Sequence, residues 1–187
     1  MCRAMAMTAV VGIASPWSGQ AQARPAVKPR PEIAHCLKAA AQRYGVNPTL
    51  LKAIAWVESG FNPGALNLGN ADGTRDIGLM QINSRWLPAL RRWAITEQAI
   101  QDPCVNAQVG AWILAENFAR MGVNWEAVGA YNAASAHKRR AYAWKVYRAY
   151  QVFAQTGASD GKDLVTTVPT VSQIADSSLY QPGGAHE

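Results

Sequence analysis

Glu58 is the residue of this chain best placed for acid–base chemistry. It is the penultimate residue of the segment PTLLKAIAWVES, in which Leu51 stands seven positions before it and Ile54 four before. That spacing puts its carboxyl on the apolar stripe of a helix, at the helix C-terminal end. Apolar surroundings disfavour the carboxylate, and so does the negative end of the helix dipole, so the sequence predicts a raised pKa. An acid held protonated near neutrality can protonate a poor leaving group such as a glycosidic oxygen. Helix geometry alone also admits a C-terminal glutamate with no role, and the remaining motifs must decide.

Other chemical groupings are weaker. Asp72 and Asp76 lie in the loop after Glu58, and Asp76 reads first as a brace for that loop, with a place in the cleft as the alternative. Asn70, Asp72 and Gly73 faintly resemble a calcium loop, but no Glu stands at its closing position, so no metal is assigned. His35, His137 and His186 lack metal-ligand spacing, and no cofactor is expected. The cluster Lys138, Arg139, Arg140, Lys145 and Arg148 reads as a solvated face or as an attractor of anionic groups. Of the six tryptophans from Trp56 to Trp144, most are expected in the core, with one near the cleft to stack on a sugar.

The elements that must position Glu58 are helical. A first helix is predicted from Pro31 to Tyr44, stopped by Gly45. A second has Asn47 as N-cap and Pro48 at its first position, and ends at Ser59-Gly60. Residues 60–77 are dense in Gly, Asn, Asp and Pro, which marks a functional loop rather than a connector. Short helical pieces follow over 84–93 and 96–100, then a longer helix with Asp102 as cap, Pro103 at its start and Gly122 past its end. Asn124 and Ser135 read as caps of two more. The last helix, about 136–155, carries Tyr142, Val146, Tyr147, Tyr150 and Phe153 as a stripe that core packing explains. No run alternates enough to be a strand, and a minimal hairpin, if present, belongs to the 65–78 loop. The expected class is all-α.

The ends differ in composition. Arg3, the apolar stretch AMAMTAVVGIA and Ala21-Gln22-Ala23 read as an export signal over 1–23, cut after Ala23, with an uncleaved anchor as the alternative. Residues 24–31 (RPAVKPRP) read as a linker, residues 32–155 as the folded domain, and residues 156–187 as a disordered acidic tail. No later stretch is long and apolar enough to span a bilayer. Removing Cys2 with the signal leaves Cys36 and Cys104, either one disulfide or two buried thiols. A bridge closing so long a loop contributes about 4 kcal/mol in the chain-entropy model. The formal charge is +6 overall and +8 over residues 24–155, which favours an anionic polymer. With export, that polymer is the bacterial wall rather than nucleic acid, and the expected location is the periplasm.

Three segments in order, AIAWVESGFNP, DIGLMQINSRWLP and AVGAYNA, resemble the soluble lytic transglycosylase family, whose domain is similar to goose-type lysozyme. The resemblance covers about residues 32–152. It is closest to small single-domain members associated with type IV secretion, conjugation, pilus assembly and type III secretion. The segments around Cys104 and KRRAYAWKVYRAY, and the cysteine pair itself, also look like that subgroup.

The resemblance implies a lysozyme-like cleft with Glu58 as catalytic acid and base and Ser59 beside it as support or substrate contact. It implies substrate contacts from Met80, Gln81, Asn83, Tyr131 and Asn132, with core filling as the alternative for Met80 and with the Tyr131 hydroxyl near the carboxyl. Ala134 stands where the family usually has Gly, which bears on that turn. One carboxylate suffices in such an enzyme, because the sugar's own 6-hydroxyl closes a 1,6-anhydro ring without water. The implied substrate is the glycan strand of peptidoglycan, opened locally for an envelope-spanning secretion apparatus. Two other readings compete: a hydrolytic muramidase, and a non-catalytic wall-binding assembly protein.

Overall fold

The computed structural model describes residues 28–157, with side chains to residue 156. The expected export signal lies outside the described residues, as does the tail beyond residue 157. The element order is α1 (Pro31–Arg43), α2 (Pro48–Ser59), β1 (Leu66–Asn67), β2 (Asp76–Ile77), β3 (Ile82–Asn83), α3 (Leu87–Leu90), α4 (Glu97–Ile100), α5 (Pro103–Met121), α6 (Trp125–Gly129) and α7 (Ala136–Gly157). Single 3₁₀ turns at Ser84–Trp86 and Arg91–Trp93 flank α3.

Helix ends fall where side-chain chemistry puts them. Asn47 Oδ1 accepts from the Leu50 N–H at 3.0 Å to start α2, and Gly60 closes it in the left-handed conformation at φ 62°. Asp102 accepts from the N–H groups of Cys104 and Val105 to start α5, and Asn124 accepts from Ala127 to start α6. Helix α7 continues two residues past the expected boundary at residue 155.

Each helix buries one stripe. In α1 the buried residues are Ile33, Cys36, Leu37, Ala40 and Ala41, the spacing of a single helix face. That face packs on α5, while α2 packs on α7 and α6 bridges α5 and α7. Cys36 and Cys104 form a disulfide across a separation of 68 residues, tying α1 to the first turn of α5. The core holds Leu51, Ile54, Leu79, Met80, Ile82, Leu114 and Val146, all nearly or wholly inaccessible.

The all-α expectation holds with one addition, a three-stranded antiparallel sheet in the order β1-β2-β3. Leu66 pairs with Ile77, and Ile77 pairs in turn with Ile82. The third strand lies beyond the 65–78 loop where a hairpin was expected. Strands of two residues are too short to show alternation, so periodicity is silent about them.

Asn106 of α5 holds this sheet against the helices. Fully buried, it accepts from the Met80 N–H at 2.7 Å and donates to the carbonyls of Ile77 and Ile100, both at 2.9 Å. Gly78 (φ 77°) makes the approach possible, because a Cβ there would stand 2.4 Å from the Asn106 Nδ2. Asn106→Leu keeps the side-chain volume but strands three backbone groups, and is expected to lower unfolding free energy by about 3 kcal/mol in urea titration.

Candidate active site

A cavity of about 600 Å³ opens between α2, the sheet and the α6–α7 turn, with Glu58 in its wall. The α2 stripe turns Glu58 inward, and α7 lies against it. Burial is the largest influence on its carboxyl and raises its pKa from 4.5 to about 7. The Tyr142 hydroxyl donates to Glu58 Oε1 at 2.5 Å and pulls the value down, the nearby Asp76 charge raises it, and Lys145 lowers it. Desolvation outweighs the rest, so near pH 7 the group divides between acid and anion.

Tyr142 is the functional side chain that sequence reasoning missed. Its place in the apolar stripe of α7 reads as packing, and it is indeed only 5% exposed. Packing accounts for the ring and leaves the hydroxyl unexplained. A buried phenol needs a partner, and the only stripe tyrosine in the first half of α7 was the signal available. Its ring lies nearly parallel to that of Tyr131, centroids 6.5 Å apart. Burial, then the Glu58 charge, pushes both phenols well above 10, so each is a neutral donor.

Ser59 and Met80 take the structural one of the two roles open to each. Ser59 sends its hydroxyl to the Leu79 carbonyl at 2.7 Å and to the Ala55 carbonyl at 3.3 Å, so it ties α2 to the segment before β3. Met80 is fully buried and meets α5 at Gly110, where a Cβ would stand 2.9 Å from its side chain. An inaccessible side chain cannot contact a sugar, so Met80 shapes the wall from behind. Tyr131 shares the cavity with Glu58 and feels its charge, but its hydroxyl donates to the Met80 carbonyl at 3.0 Å, and it is Tyr142 that bonds the carboxyl.

Gln81, Asn83, Tyr131 and Asn132 line the cavity. Gln81 sits at φ 48°, a left-handed conformation costly for a residue with a side chain. Its amide donates to the carbonyls of Gly78 (2.9 Å) and Ala65 (3.2 Å), which hold that conformation. Asn83 donates to Asp76 Oδ1 at 2.7 Å and to Thr74, and accepts from Arg85.

Asp76 braces the loop, as its position suggested. Its Oδ2 accepts from Asn67 (2.9 Å) and Asn70 (3.0 Å), and its Oδ1 from Asn83. The faint calcium pattern is tied into this network: Asn70 also donates to Thr74, and Asp72 Oδ1 accepts from the Thr74 N–H and hydroxyl. Among the described residues no three His, Cys, Asp or Glu side chains converge as a metal site. Of the tryptophans, Trp86 lines the cavity, while Trp125 and Trp144 are 40% and 57% exposed and each meets the Tyr147 ring edge-on. In the basic cluster, Arg139 pairs with Glu126 at 3.2 Å and donates to the Ala134 carbonyl at 2.7 Å, bracing the turn where Ala134 replaces glycine.

The family model described as Transglycosylase SLT domain matches residues 35–152. The chain is 41% identical over 132 residues to Invasion protein IagB of Salmonella typhi, covering 68% of this chain and 82% of that protein. It is 39% identical over 150 residues to X polypeptide of Escherichia coli, covering 76% and 86%. To Protein IpgF of Shigella flexneri it is 42% identical over 122 residues, covering 63% and 80%.

The position of Glu58 has a stability signature. With its folded pKa near 7 and its ordinary value 4.5, the folded state keeps a proton that the unfolded state releases between those values. The resulting penalty is absent below about pH 4.5 and complete above about pH 7, where the separation corresponds to about 3 kcal/mol. Glu58→Gln is therefore expected to match the parent in urea unfolding at pH 4 and to exceed it by up to about 3 kcal/mol at pH 8.

Proposed function

The chain belongs to the transglycosylase SLT domain family and is a peptidoglycan lytic transglycosylase, and from that premise we propose that Glu58 serves as both its acid and its base. The observation that carries this reading is the Glu58 carboxyl itself, raised to about 7 by burial yet open to a cavity and hydrogen-bonded by Tyr142. Protonated, it gives its proton to the glycosidic oxygen as the bond from the muramoyl C1 breaks. The muramoyl N-acetyl group stabilises the positive charge that develops on the ring. Glu58, now a carboxylate, takes the proton of the same sugar's 6-hydroxyl as that oxygen bonds to C1. The product is a 1,6-anhydro end, no water is consumed, and Glu58 is restored as the acid. The attacking hydroxyl is tethered to the reacting sugar, which gives it a high effective concentration.

Tyr142 stabilises the carboxylate that exists between the two proton transfers. Tyr131, held through the Met80 carbonyl, keeps the Tyr142 ring and the cleft wall in place. Gln81 through its Oε1 and Asn132 through its amide face sugar hydroxyl and N-acetyl groups, and Asn83, whose amide is taken up by Asp76, Thr74 and Arg85, shapes the cleft beside them. The hydrolytic reading draws on Asp76, a second carboxylate in the same cavity. Both its oxygens already accept from asparagine amides, which suits a brace better than a base that must position water. Export to the periplasm, with cleavage after Ala23 and the boundaries given above, completes the proposal. There the enzyme would open the wall locally for a secretion, conjugation or pilus apparatus.

Mass spectrometry of digested sacculi tests the reaction: anhydro ends are one water lighter than hydrolysed ends, and only reducing muramic acid ends would overturn the lyase reading. Glu58→Gln is expected to lose at least about 100-fold in turnover and to fail in complementation, whereas a non-catalytic assembly protein would retain biological activity. Because the reaction starts from protonated Glu58, the rate should fall as pH rises through about 7. The Tyr142 hydrogen bond favours the anion, so Tyr142→Phe should move that descending limb to higher pH while lowering the maximum rate.

A further inference from the structure

Apart from Glu58, the charged side chains that line the cleft among the described residues are Asp72, Asp76 and Arg85. Two carboxylates against a single cation form an unfavourable lining for peptidoglycan, whose muramoyl residues bear carboxylates on their lactyl branch. On a stripped strand the carboxylate is the lactyl group's own, and on an intact strand it belongs to the stem peptide attached there. Such a strand is repelled by both aspartates, and Arg85 is the one lining group that attracts it.

Arg85 is positioned by the fold without being consumed by it. It lies in the 3₁₀ turn after β3, beside Trp86, which lines the same cleft. Its backbone N–H and its Nε both donate to Asn83 Oδ1 at 3.0 Å. Asn83 is fixed in turn through its Nδ2, which donates to Asp76 Oδ1 at 2.7 Å and to the Thr74 hydroxyl at 2.9 Å. The guanidinium is therefore anchored at Nε, while its two terminal nitrogens make no hydrogen bond among the described residues. Paired N–H groups of that kind grip a carboxylate in bidentate fashion.

Asp72 is paired with this guanidinium only loosely. Its Oδ2 stands 3.9 Å from an Arg85 terminal nitrogen, beyond hydrogen-bond length, and both side chains are more than half exposed. Its Oδ1 is taken by the Thr74 N–H at 3.1 Å and the Thr74 hydroxyl at 2.6 Å. Thr74 keeps Asp72 in place whether or not Arg85 stays beside it, so Arg85 can change partner without breaking a hydrogen bond. Asp76 competes less, because three asparagine amides already occupy its oxygens.

We propose that Arg85 is a specificity-determining residue of the cleft, which exchanges Asp72 for a carboxylate on the lactyl branch of a muramoyl residue. The inference rests on the peptidoglycan reading of the cleft and deepens it: Arg85 separates strands with an anionic branch from neutral glycans of the same backbone.

The test uses Glu58→Gln in the full chain, so that bound glycan is not cleaved, and follows tryptophan fluorescence. The probes are a muramoyl tetrasaccharide with its lactyl carboxylates capped as methylamides, the same sugar with those carboxylates free, and the same sugar bearing stem peptides. An anionic probe is expected to bind at least about threefold tighter than the capped one, with an advantage that shrinks as salt is added. Tightening by the free lactyl probe identifies the lactyl carboxylate as the ligand, and tightening by the stem-bearing probe alone identifies the stem. The advantage should vanish with Arg85→Gln and persist in part with Arg85→Lys. Asp72→Asn keeps an acceptor for Thr74 but removes the competing charge, and should widen the advantage, which a purely structural role for Arg85 does not predict. Both of these last variants retain a cation, so they decide the matter even if Arg85→Gln fails to fold. Equal affinity for the capped and both anionic probes, or an advantage that survives Arg85→Gln, would overturn the proposal. A chain that binds none of the probes overturns the reading of the cleft, and this inference with it.

Discussion

Taking one carboxyl out of water, without closing it off from substrate, is the constraint around which this structure is arranged. Glu58 sits where α2 meets α7, and burial by these helices raises its pKa to about 7 against the opposing pull of Tyr142 and Lys145. If α7 stood further off, water would return and the group would be an ordinary carboxylate. If it packed over the carboxyl completely, the proton could not reach a sugar. The single hydroxyl of Tyr142 meets both demands, because it satisfies one carboxylate oxygen inside while the cavity remains open on the other side.

The opposite wall faces a different problem. It is built from loop and two-residue strands, which have little order of their own, so buried polar contacts supply it. Ser59 from α2 and Tyr131 from the α6–α7 turn bind consecutive carbonyls, Leu79 and Met80, and Asn106 from α5 takes the Met80 N–H. Three helical regions thereby grip the same two residues. Asp76 does the equivalent for the outer loop by accepting from three asparagines. The left-handed backbone of Gln81 is held because its neighbours on both sides are fixed. Gln81 and Asn83 thus line the cavity within a frame that is polar and internally satisfied.

Sequence and structure agree most closely on the helices. Asn47, Asp102 and Asn124 cap the helices they were expected to cap, since capping is a contact between a side chain and N–H groups two or three residues away. Local chemistry of that range is fully written in the chain. The third strand escaped because two residues carry no period, and Tyr142 escaped because its place in an apolar stripe is that of any core aromatic.

The sequence by itself determined the helical class, the loop after Glu58, the family resemblance, and the raised pKa of an acid on an apolar stripe. These depend on periodicity, punctuation and ordered motifs, all of which are local or linear. Only the tertiary structure decided which hydroxyl meets the carboxyl. Residues 58 and 142 are 84 positions apart, and Tyr131 and Tyr142 present the same chemistry to any reading of the chain. It also decided that the Ser59 hydroxyl bonds the Leu79 carbonyl and that Met80 is buried against α5, because burial and partner choice belong to the packed surfaces of several elements at once. The physical reason is range: a helix specifies its own faces, but which face another helix covers is settled by the fit between them.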